Sequence, residues 1–188
     1  MGIILASASP RRFELLGKVG LRDFWVSAPE IDENPPPGLS APEIAAALSR
    51  KKAESVNAGP GDVIIAADTV VCFGEKILGK PANAEEAEKT LAMLAGNMHT
   101  VYTGVTVLKD GKALTETETT QVYMRELSQA QIKRYVATGE PQGKAGAYGI
   151  QERGALLIKR VEGDFYNVMG LPVYRLSLML GRLGVELL

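Results

Sequence analysis

Apolar and polar positions follow two periodicities along this chain, one typical of strands and one typical of helices. Continuous or alternating apolar stretches predict strands at residues 3–6, 24–28, 63–71, 99–127 (a hairpin) and 155–161. Apolar residues at helical spacing, preceded by a capping residue or a proline, predict helices that begin after Ser9, Ser40, Asn83 and Ser128 and at about Pro172. No repeat, linker or low-complexity segment interrupts this pattern, so we expect one domain over residues 1–188.

The stretch Asp62 to Val71 contains both an apolar run and a carboxylate. Val63 to Ala67 are all apolar, which is typical of a strand buried on both faces, and Asp68 follows them directly. A carboxylate in such a position is costly unless it is paired, binds a metal or faces a cleft. Because ligands of open α/β sheets bind near the carboxyl ends of strands, we predict that Asp68 is a functional residue.

The turn after the first strand carries hydroxyl and guanidinium groups in the sequence Ser7-Ala8-Ser9-Pro10-Arg11-Arg12. Ser9 suits an N-cap and Pro10 suits the first helical position, which predicts a helix that ends near Gly17. The free N–H groups and the positive dipole end of a helix N-terminus favour an anion. Two interpretations are open: a phosphate-binding turn, or an ordinary capped helix with solvated arginines.

Two further groups of charged residues precede the Asp68 strand. The proline-rich loop contains Asp32 and Glu33, which are either solvated carboxylates or ligands of a hard cation such as magnesium. In the helix that begins at Ser40, Lys52 falls near the middle of the apolar stripe. Its ammonium group either extends to water or enters the same cleft as Asp68.

Basic and glycine-rich segments follow the Asp68 strand. Gly74-Glu75 predicts a hairpin turn whose second arm returns Lys80 toward Asp68. The loop at residues 139–154 contains glycines that permit close approach of the main chain to a ligand, although flexible surface loops look similar. The only histidine, His99, is not accompanied by the nucleophile elbow of serine hydrolases, and we expect a structural role for it.

Length, composition and charge narrow the function classes. The 188 residues are 46% hydrophobic and 23% charged, which is ordinary for a globular protein, and the net charge of −1 gives no indication of a nucleic-acid or membrane partner. A single cysteine excludes an intrachain disulfide, and no Cys/His cluster has zinc spacing. The short apolar N-terminal run has its charges after it, unlike a signal peptide, and no run approaches transmembrane length. We therefore expect a cytoplasmic protein.

The candidate residues share one chemistry. Hydroxyls and arginines at a helix start, a loop carboxylate, an inward lysine, a strand-end aspartate and a hairpin lysine together suit a metal-bound polyphosphate. The cation needs carboxylates, while the phosphates need arginine, lysine and backbone N–H groups. No Walker A sequence is present, so the chain is not a P-loop enzyme.

The order of these motifs resembles the Maf family of nucleoside triphosphate pyrophosphatases, also called septum-formation inhibitor proteins. One motif alone would be weak support, but the series extends in family order over nearly the whole chain. The matching segments and residues are Ser7 to Arg12, Glu33, Lys52, Ala66 to Val71, Gly79 to Pro81, Lys144 to Gln151 and Gly163 to Pro172.

The resemblance implies an α/β fold with an elongated mixed sheet flanked by helices and two lobes with a central cleft, as in inosine triphosphate pyrophosphatases. It also implies hydrolysis of a nucleoside triphosphate to the monophosphate and pyrophosphate with a divalent cation (Mg, Mn or Co). Asp68 matches the family's general base. The other polar active-site positions match Glu33, Lys52 and Lys80. The phosphate-binding turn matches Ser7, Ser9 and Arg12.

The glycine loop has the form G-A-Y-G-I-Q, which is similar to the subfamily that acts on dTTP and UTP. The specificity positions of that subfamily match Arg11, Thr69 and Gln151. Glu152 stands where the subfamily usually has glycine, and Gln142-Gly143 stands where an acidic residue is common. Both departures affect the shape of the loop, and therefore bear on base preference more than on reaction type.

Our mechanistic hypothesis for such a reaction is in-line attack of water on the α-phosphorus, with pyrophosphate leaving. Asp68 either accepts the proton of that water or binds the cation, and Glu33 shares the cation. The groups that neutralise charge on the phosphates are Arg12, Lys52 and Lys80.

Rival hypotheses come from other classes of protein. A non-catalytic nucleotide-binding regulator of cell division would need the basic groups but not Glu33 together with Asp68. A nucleic-acid-binding protein is disfavoured by the charge balance and the few aromatic residues. The implied cellular role is sanitation of the nucleotide pool, including modified pyrimidine nucleotides, and a homodimer is expected only because dimers are common.

Overall fold

The computed structural model describes residues 2–34 and 37–187, and within them seven strands form one mixed sheet with helices on both faces. Pro35 and Pro36 of the proline-rich loop and the two terminal residues lie outside this description. The strands are β1 Ile3–Ala6, β2 Trp25–Val26, β3 Val63–Phe73, β4 Lys76–Leu78, β5 Met98–Lys109, β6 Lys112–Met124 and β7 Ile158–Glu162. The α-helices are α1 Pro10–Lys18, α2 Ala41–Glu54, α3 Ala84–Leu94, α4 Gln129–Val136, α5 Phe165–Met169 and α6 Val173–Gly181.

The strand order leaves an opening at one edge of β3. The order is β2-β1-β3-β5-β6-β7, and β4 also pairs with β3. Because β5 pairs along β3 from Val63 to Cys72, β1 and β4 share the opposite edge. There β1 pairs with residues 63–66 and β4 with residues 71–73, so no described strand pairs with residues 67–70 on that edge. This opening, which we call the sheet gap, contains Asp68 and Thr69.

Successive residues of β3 pack on opposite faces of the sheet. Ile65 and Ala67 belong to the larger core, which the sheet forms with α1, α3, α4 and α6. Val70 packs against Ile44 and its neighbours on α2, which covers the other face. Since side chains alternate along a strand, Asp68 is on the α2 face and Thr69 is on the face of the larger core. The sheet gap is therefore accessible to groups from both faces.

α2 lies very close to the sheet at Gly104 of β5. Gly104 pairs directly with Asp68, and a Cβ at position 104 would lie 2.2 Å from the carbonyl oxygen of Ala45. Only glycine allows backbone to approach backbone at this distance. As a result, the helix that carries Lys52 rests directly on the pair of strands that carries Asp68.

The predicted α/β class, with a mixed sheet flanked by helices, is confirmed, and three local predictions need correction. The strand predicted at residues 24–28 is only Trp25–Val26. The segment 155–161 is 3₁₀ helix up to Leu157 and strand only from Ile158. This 3₁₀ helix begins at Glu152, and the N–H groups of Arg153 and Gly154 in its first turn bind the Glu140 carboxylate instead of a neighbouring strand. The helix α5 was not predicted, since five residues are too few to show a helical period.

Candidate active site

A cleft of about 1180 Å³ opens at the sheet gap, and its size suits a large ligand such as a nucleotide. Its lining comes from the β1–α1 turn, α2, β3, the end of β4, the glycine-rich loop and the end of α5. The ten residues that the sequence singled out all line it: Ser7, Ser9, Arg11, Arg12, Glu33, Lys52, Asp68, Thr69, Lys80 and Gln151. The structure thus brings together groups that are up to 144 positions apart in the chain.

Lys52 joins two carboxylates on the α2 face of the cleft. Its Nζ lies 2.6 Å from Oδ1 of Asp68 and 2.6 Å from Oε1 of Glu33. The side chains of Lys52 and Asp68 are buried, whereas that of Glu33 is half exposed. The hydrogen bond from Lys52 is the main cause that lowers the pKa of Glu33, with smaller contributions from the charges of Lys80 and Arg12. Lys52 therefore enters the same cleft as Asp68, which is one of the two interpretations that the sequence left open.

Arg12 is held in place on the opposite face of the sheet gap. Its Nε donates to the carbonyl oxygen of Gly170 at 2.8 Å, its Nη1 to Oγ of Ser7 at 3.1 Å, and its Nη2 to Oγ1 of Thr69 at 3.2 Å. Burial lowers the pKa of Arg12 to about 10, so the guanidinium stays charged at neutral pH. These bonds to described residues use three of its five N–H groups, and the other two can bind a ligand.

The β1–α1 turn has the geometry that its sequence predicts. Ser9 is the N-cap of α1 and Pro10 is its first residue. The hydroxyl of Ser7 accepts the backbone N–H of Ser9 at 3.2 Å, so the turn is organised from within rather than by the Ser9 side chain. Ser9 and Arg11 line the cleft, where the helix N-terminus and a positive charge favour an anion.

Glu140 organises the glycine-rich loop, a role that no sequence pattern indicates. Its carboxylate accepts the N–H groups of Arg153 at 3.2 Å and Gly154 at 2.9 Å, and also the hydroxyl of Tyr135 at 3.0 Å. The Tyr135 hydroxyl in turn accepts the N–H of Gly149 at 3.1 Å. These bonds fix both ends of the segment that carries Gln151. We infer that Glu140 holds Gln151 in position at the cleft.

Glu152, where the resembling subfamily usually has glycine, adopts a backbone conformation that favours glycine. Its φ is +55°, in the left-handed region. For residues other than glycine this region costs about 1–2 kcal/mol. The departure noted in the sequence therefore places backbone strain next to Gln151.

Replacement of Glu152 by glycine is expected to raise the melting temperature by about 2–4 °C, which corresponds to about 1 kcal/mol for a domain of this size. Relief of the left-handed strain exceeds the additional entropy of glycine in the unfolded chain. Differential scanning calorimetry measures the shift. Arg153→Gly is the matched control: it adds the same unfolded-state entropy without relief of a positive φ, so its melting temperature should fall. Equal shifts in both variants would contradict the strain at Glu152.

His99 is a buried structural residue behind the cleft, in agreement with its expected role. Its Nε2 lies 2.7 Å from the hydroxyl of Tyr148, which lines the cleft, and the two rings meet edge to face. Its Nδ1 has no hydrogen-bond partner among the described residues. Burial lowers the pKa of His99 to about 4 from an ordinary value of 6.5.

Acid is expected to destabilise the protein through His99. Below pH 6.5 the unfolded chain binds a proton at this residue that the folded chain does not, so the free energy of unfolding falls as the pH drops from 6.5 to about 4. The total loss is about 3 kcal/mol. Urea unfolding at pH 7 and pH 4.5 measures it, and His99→Gln is the reference because all carboxylate titrations are common to both proteins. Identical pH dependence in the two proteins would contradict this assignment.

Of the carboxylates that line the cleft, Glu33 and Asp68 bind one common group, and they could hold a cation together. Because both bind the same ammonium group, their nearest oxygens are no farther apart than the sum of those two bond lengths. No group of three or more His, Cys, Asp or Glu with metal-binding geometry occurs within residues 2–34 and 37–187. Two carboxylates nevertheless fit magnesium, which is often bound by one or two carboxylates together with waters and phosphates of the substrate.

Comparison with known proteins agrees with these motifs. The family described as Maf-like protein matches residues 2–183. The chain is 46% identical over 191 aligned positions to a dTTP/UTP pyrophosphatase of Methanosarcina barkeri, an alignment that covers 98% of this chain and 95% of that one. It is 47% identical over 189 positions to a dTTP/UTP pyrophosphatase of Pelotomaculum thermopropionicum, with 99% and 98% covered.

A solved structure of a HAM1 protein from Coxiella burnetii superposes with a TM-score of 0.45 at 17% identity, over 66% of this chain and 73% of that one. In the part of the chain that the structure describes, no helix is both long and apolar enough to cross a membrane. The family match over nearly the full length, together with the identity to curated relatives, shows that this chain belongs to the Maf family.

Proposed function

We propose that this protein hydrolyses dTTP and UTP to the monophosphates and pyrophosphate, in the cleft at the sheet gap. The relatives that match over nearly the full chain are named for this activity. The observation that carries the proposal is the placement of Asp68 and Glu33 around Lys52 on one face of the sheet gap, with Arg12 on the other. Acidic and basic groups that meet in one cleft suit a triphosphate with its cation.

The basic residues of the cleft bind the triphosphate in this proposal. Arg12 offers the N–H groups that its structural bonds leave free, and Arg11, Lys80 and Lys144 also line the cleft. Burial is the main cause that lowers the pKa of Lys144, and the positive charge of Arg11 lowers it further. Charge that develops on the departing pyrophosphate is stabilised by the same groups, and such stabilisation is the main source of catalysis in phosphoryl transfer.

Asp68 accepts the proton of the attacking water. The hydrogen bond from Lys52 holds its carboxylate at one orientation, and the sheet gap exposes it to the cleft. A general base of this kind contributes about 10²–10⁴ in rate. Glu33 and Asp68 would also hold a divalent cation (Mg, Mn or Co), which when bound neutralises phosphate charge and polarises the phosphoryl group.

Base selection falls to the glycine-rich loop and its neighbours. Gln151 lines the cleft, and its amide can both donate and accept hydrogen bonds, as the edge of uracil or thymine requires. Arg11 and Thr69 line the same cleft and are the other proposed specificity residues. We further propose that the protein acts in the cytoplasm, as a homodimer, in sanitation of the nucleotide pool.

A screen for pyrophosphate release tests the proposed function. The purified protein is incubated with each ribo- and deoxynucleoside triphosphate and with modified pyrimidine nucleotides, in the presence of magnesium or manganese. We expect dTTP and UTP to give the highest kcat/KM, with the monophosphate as the second product. Absence of turnover for every nucleotide, combined with measurable binding of dTTP, would instead support the rival hypothesis of a non-catalytic nucleotide-binding regulator.

A further inference from the structure

Three oxygens form a hydrogen-bonded chain that leads from the cleft into the core. Oγ1 of Thr69 lies 3.0 Å from Oγ1 of Thr103, which lies 2.9 Å from the carbonyl oxygen of Asn167. Thr69 lines the cleft, whereas Thr103 and Asn167 are completely buried. At the cleft end, Oγ1 of Thr69 also accepts an N–H from Arg12 at 3.2 Å.

The available hydrogens fix the direction of this chain. A carbonyl oxygen has no hydrogen, so Thr103 donates its single hydroxyl hydrogen to Asn167. Thr103 can then only accept from Thr69, which therefore donates its own hydrogen away from the cleft. The opposite direction would leave two oxygens 2.9 Å apart without a hydrogen between them in a buried site, and an unsatisfied buried group costs about 1–3 kcal/mol.

Thr69 consequently offers the cleft a lone pair and no hydrogen. One of its two lone pairs accepts from Arg12, and the second, which accepts from no other described residue, can accept from a ligand. A phosphate oxygen has no hydrogen to donate at this point, so Thr69 is unsuited to phosphate binding. A ligand group that meets Thr69 must carry an N–H or an O–H.

We propose that Thr103 is a positioning residue that makes Thr69 an acceptor only, and that Thr69 accepts the ring N3–H of uracil or thymine. This inference rests on the proposed function. Uracil and thymine share an N–H between two carbonyl groups, whereas cytosine has a bare ring nitrogen at the same place. The Thr69–Thr103 pair thus accepts UTP and dTTP equally and rejects CTP and dCTP, because a lone pair would face a lone pair.

Replacement of Thr103 by valine tests the direction of the chain. Valine fills the same space but cannot accept, so the Thr69 hydrogen becomes free to turn toward the cleft and to bind the cytosine nitrogen. We expect the ratio of kcat/KM for UTP to that for CTP to fall about tenfold, as one hydrogen bond of reversed polarity implies. Thr103→Ser retains the hydroxyl and should restore the ratio of the unaltered protein.

Thr106→Val is the matched control for stability. Thr106 is a completely buried threonine of the same strand, but its hydroxyl binds those of Ser49 and Thr115, away from the cleft. This variant loses comparable hydrogen bonds and should keep the UTP to CTP ratio unchanged. An unchanged ratio in Thr103→Val, or an equal change in Thr106→Val, would overturn the proposal.

A substrate analogue gives a second test that needs no variant. In N3-methyluridine triphosphate a methyl group replaces the ring hydrogen, and we expect its kcat/KM to be at least about tenfold below that of UTP. 3′-Deoxyuridine triphosphate is the control: it keeps the ring N–H but lacks the 3′ hydroxyl of the sugar, whose O–H is the other kind of group that Thr69 can accept. A normal rate with the N3-methyl compound, or a loss with the 3′-deoxy compound alone, overturns the assignment to the base. Absence of any UTP or dTTP turnover in the unaltered protein refutes the proposed function itself, which is a distinguishable result.

Discussion

Replacement of Asp68 by asparagine is expected to lower kcat for pyrophosphate release by about 10²–10⁴, the contribution of a positioned general base. The amide has nearly the shape of the carboxylate but cannot take a proton from water, and it removes one of the two carboxylates available to a cation. Binding should survive, because Arg12 and Lys80 are untouched. Lys52 keeps its bond to Glu33, so the fold should be preserved as well.

The measurement combines single-turnover pyrophosphate release from UTP with binding of a non-hydrolysable analogue. Asp62→Asn provides the control, because Asp62 directly precedes the same strand and lies outside the cleft lining. Its carboxylate accepts the N–H groups of Gly2 at 2.7 Å and Gly59 at 3.1 Å, so its replacement perturbs the strand without touching the site. Near-normal turnover in Asp68→Asn, or an equal loss in Asp62→Asn, would exclude Asp68 as the base.

The sequence predicts which residues line the cleft where one residue carries its own signal. Asp68 is conspicuous because a carboxylate follows five apolar residues, and Lys52 because it falls on an apolar helical stripe. Both signals are local, and both arise because a buried charge needs a partner. The start of α1 can be predicted in the same way, since serine followed by proline is typical of a helix start.

The rest of the site could not be predicted, because its partners are distant in the chain. In the sequence, Glu140 cannot be distinguished from a solvated surface carboxylate. Only the folded loop brings the N–H groups of residues 153 and 154 to it. Thr103 is an ordinary strand residue in the sequence, and its proposed role depends on its hydrogen bond to Asn167, 64 positions later. The sheet gap itself arises from where β1 ends and β4 begins along β3, and no local pattern specifies that offset. Such contacts are properties of the topology rather than of any one segment.

Gly104 is the clearest example, and its replacement by alanine has the largest expected effect on stability. The sequence shows only a glycine inside a strand, which is usually a weakness of the strand. In the structure, the new Cβ would lie 2.2 Å from the carbonyl oxygen of Ala45, a distance that only a shift of α2 can relieve. Overpacking against backbone costs about 3 kcal/mol, so the melting temperature should fall by roughly 6–12 °C.

The same shift should affect catalysis beyond its effect on stability. Gly104 pairs with Asp68 across the two strands, and α2 carries Lys52, so a helix pushed off the sheet lengthens the Lys52–Asp68 contact of 2.6 Å. A displacement of about 1 Å at a catalytic group can cost about 10² in rate, and kcat measured well below the melting temperature should reveal it. Gly181→Ala in α6 is the matched control and should be neutral or stabilising, since its Cβ would meet no described atom within 4 Å apart from its chain neighbours and the adjacent backbone of its own helix. A stable Gly104→Ala protein with normal kcat would mean that α2 does not rest on the sheet at this point, and that the position of Lys52 depends on the rest of the helix instead.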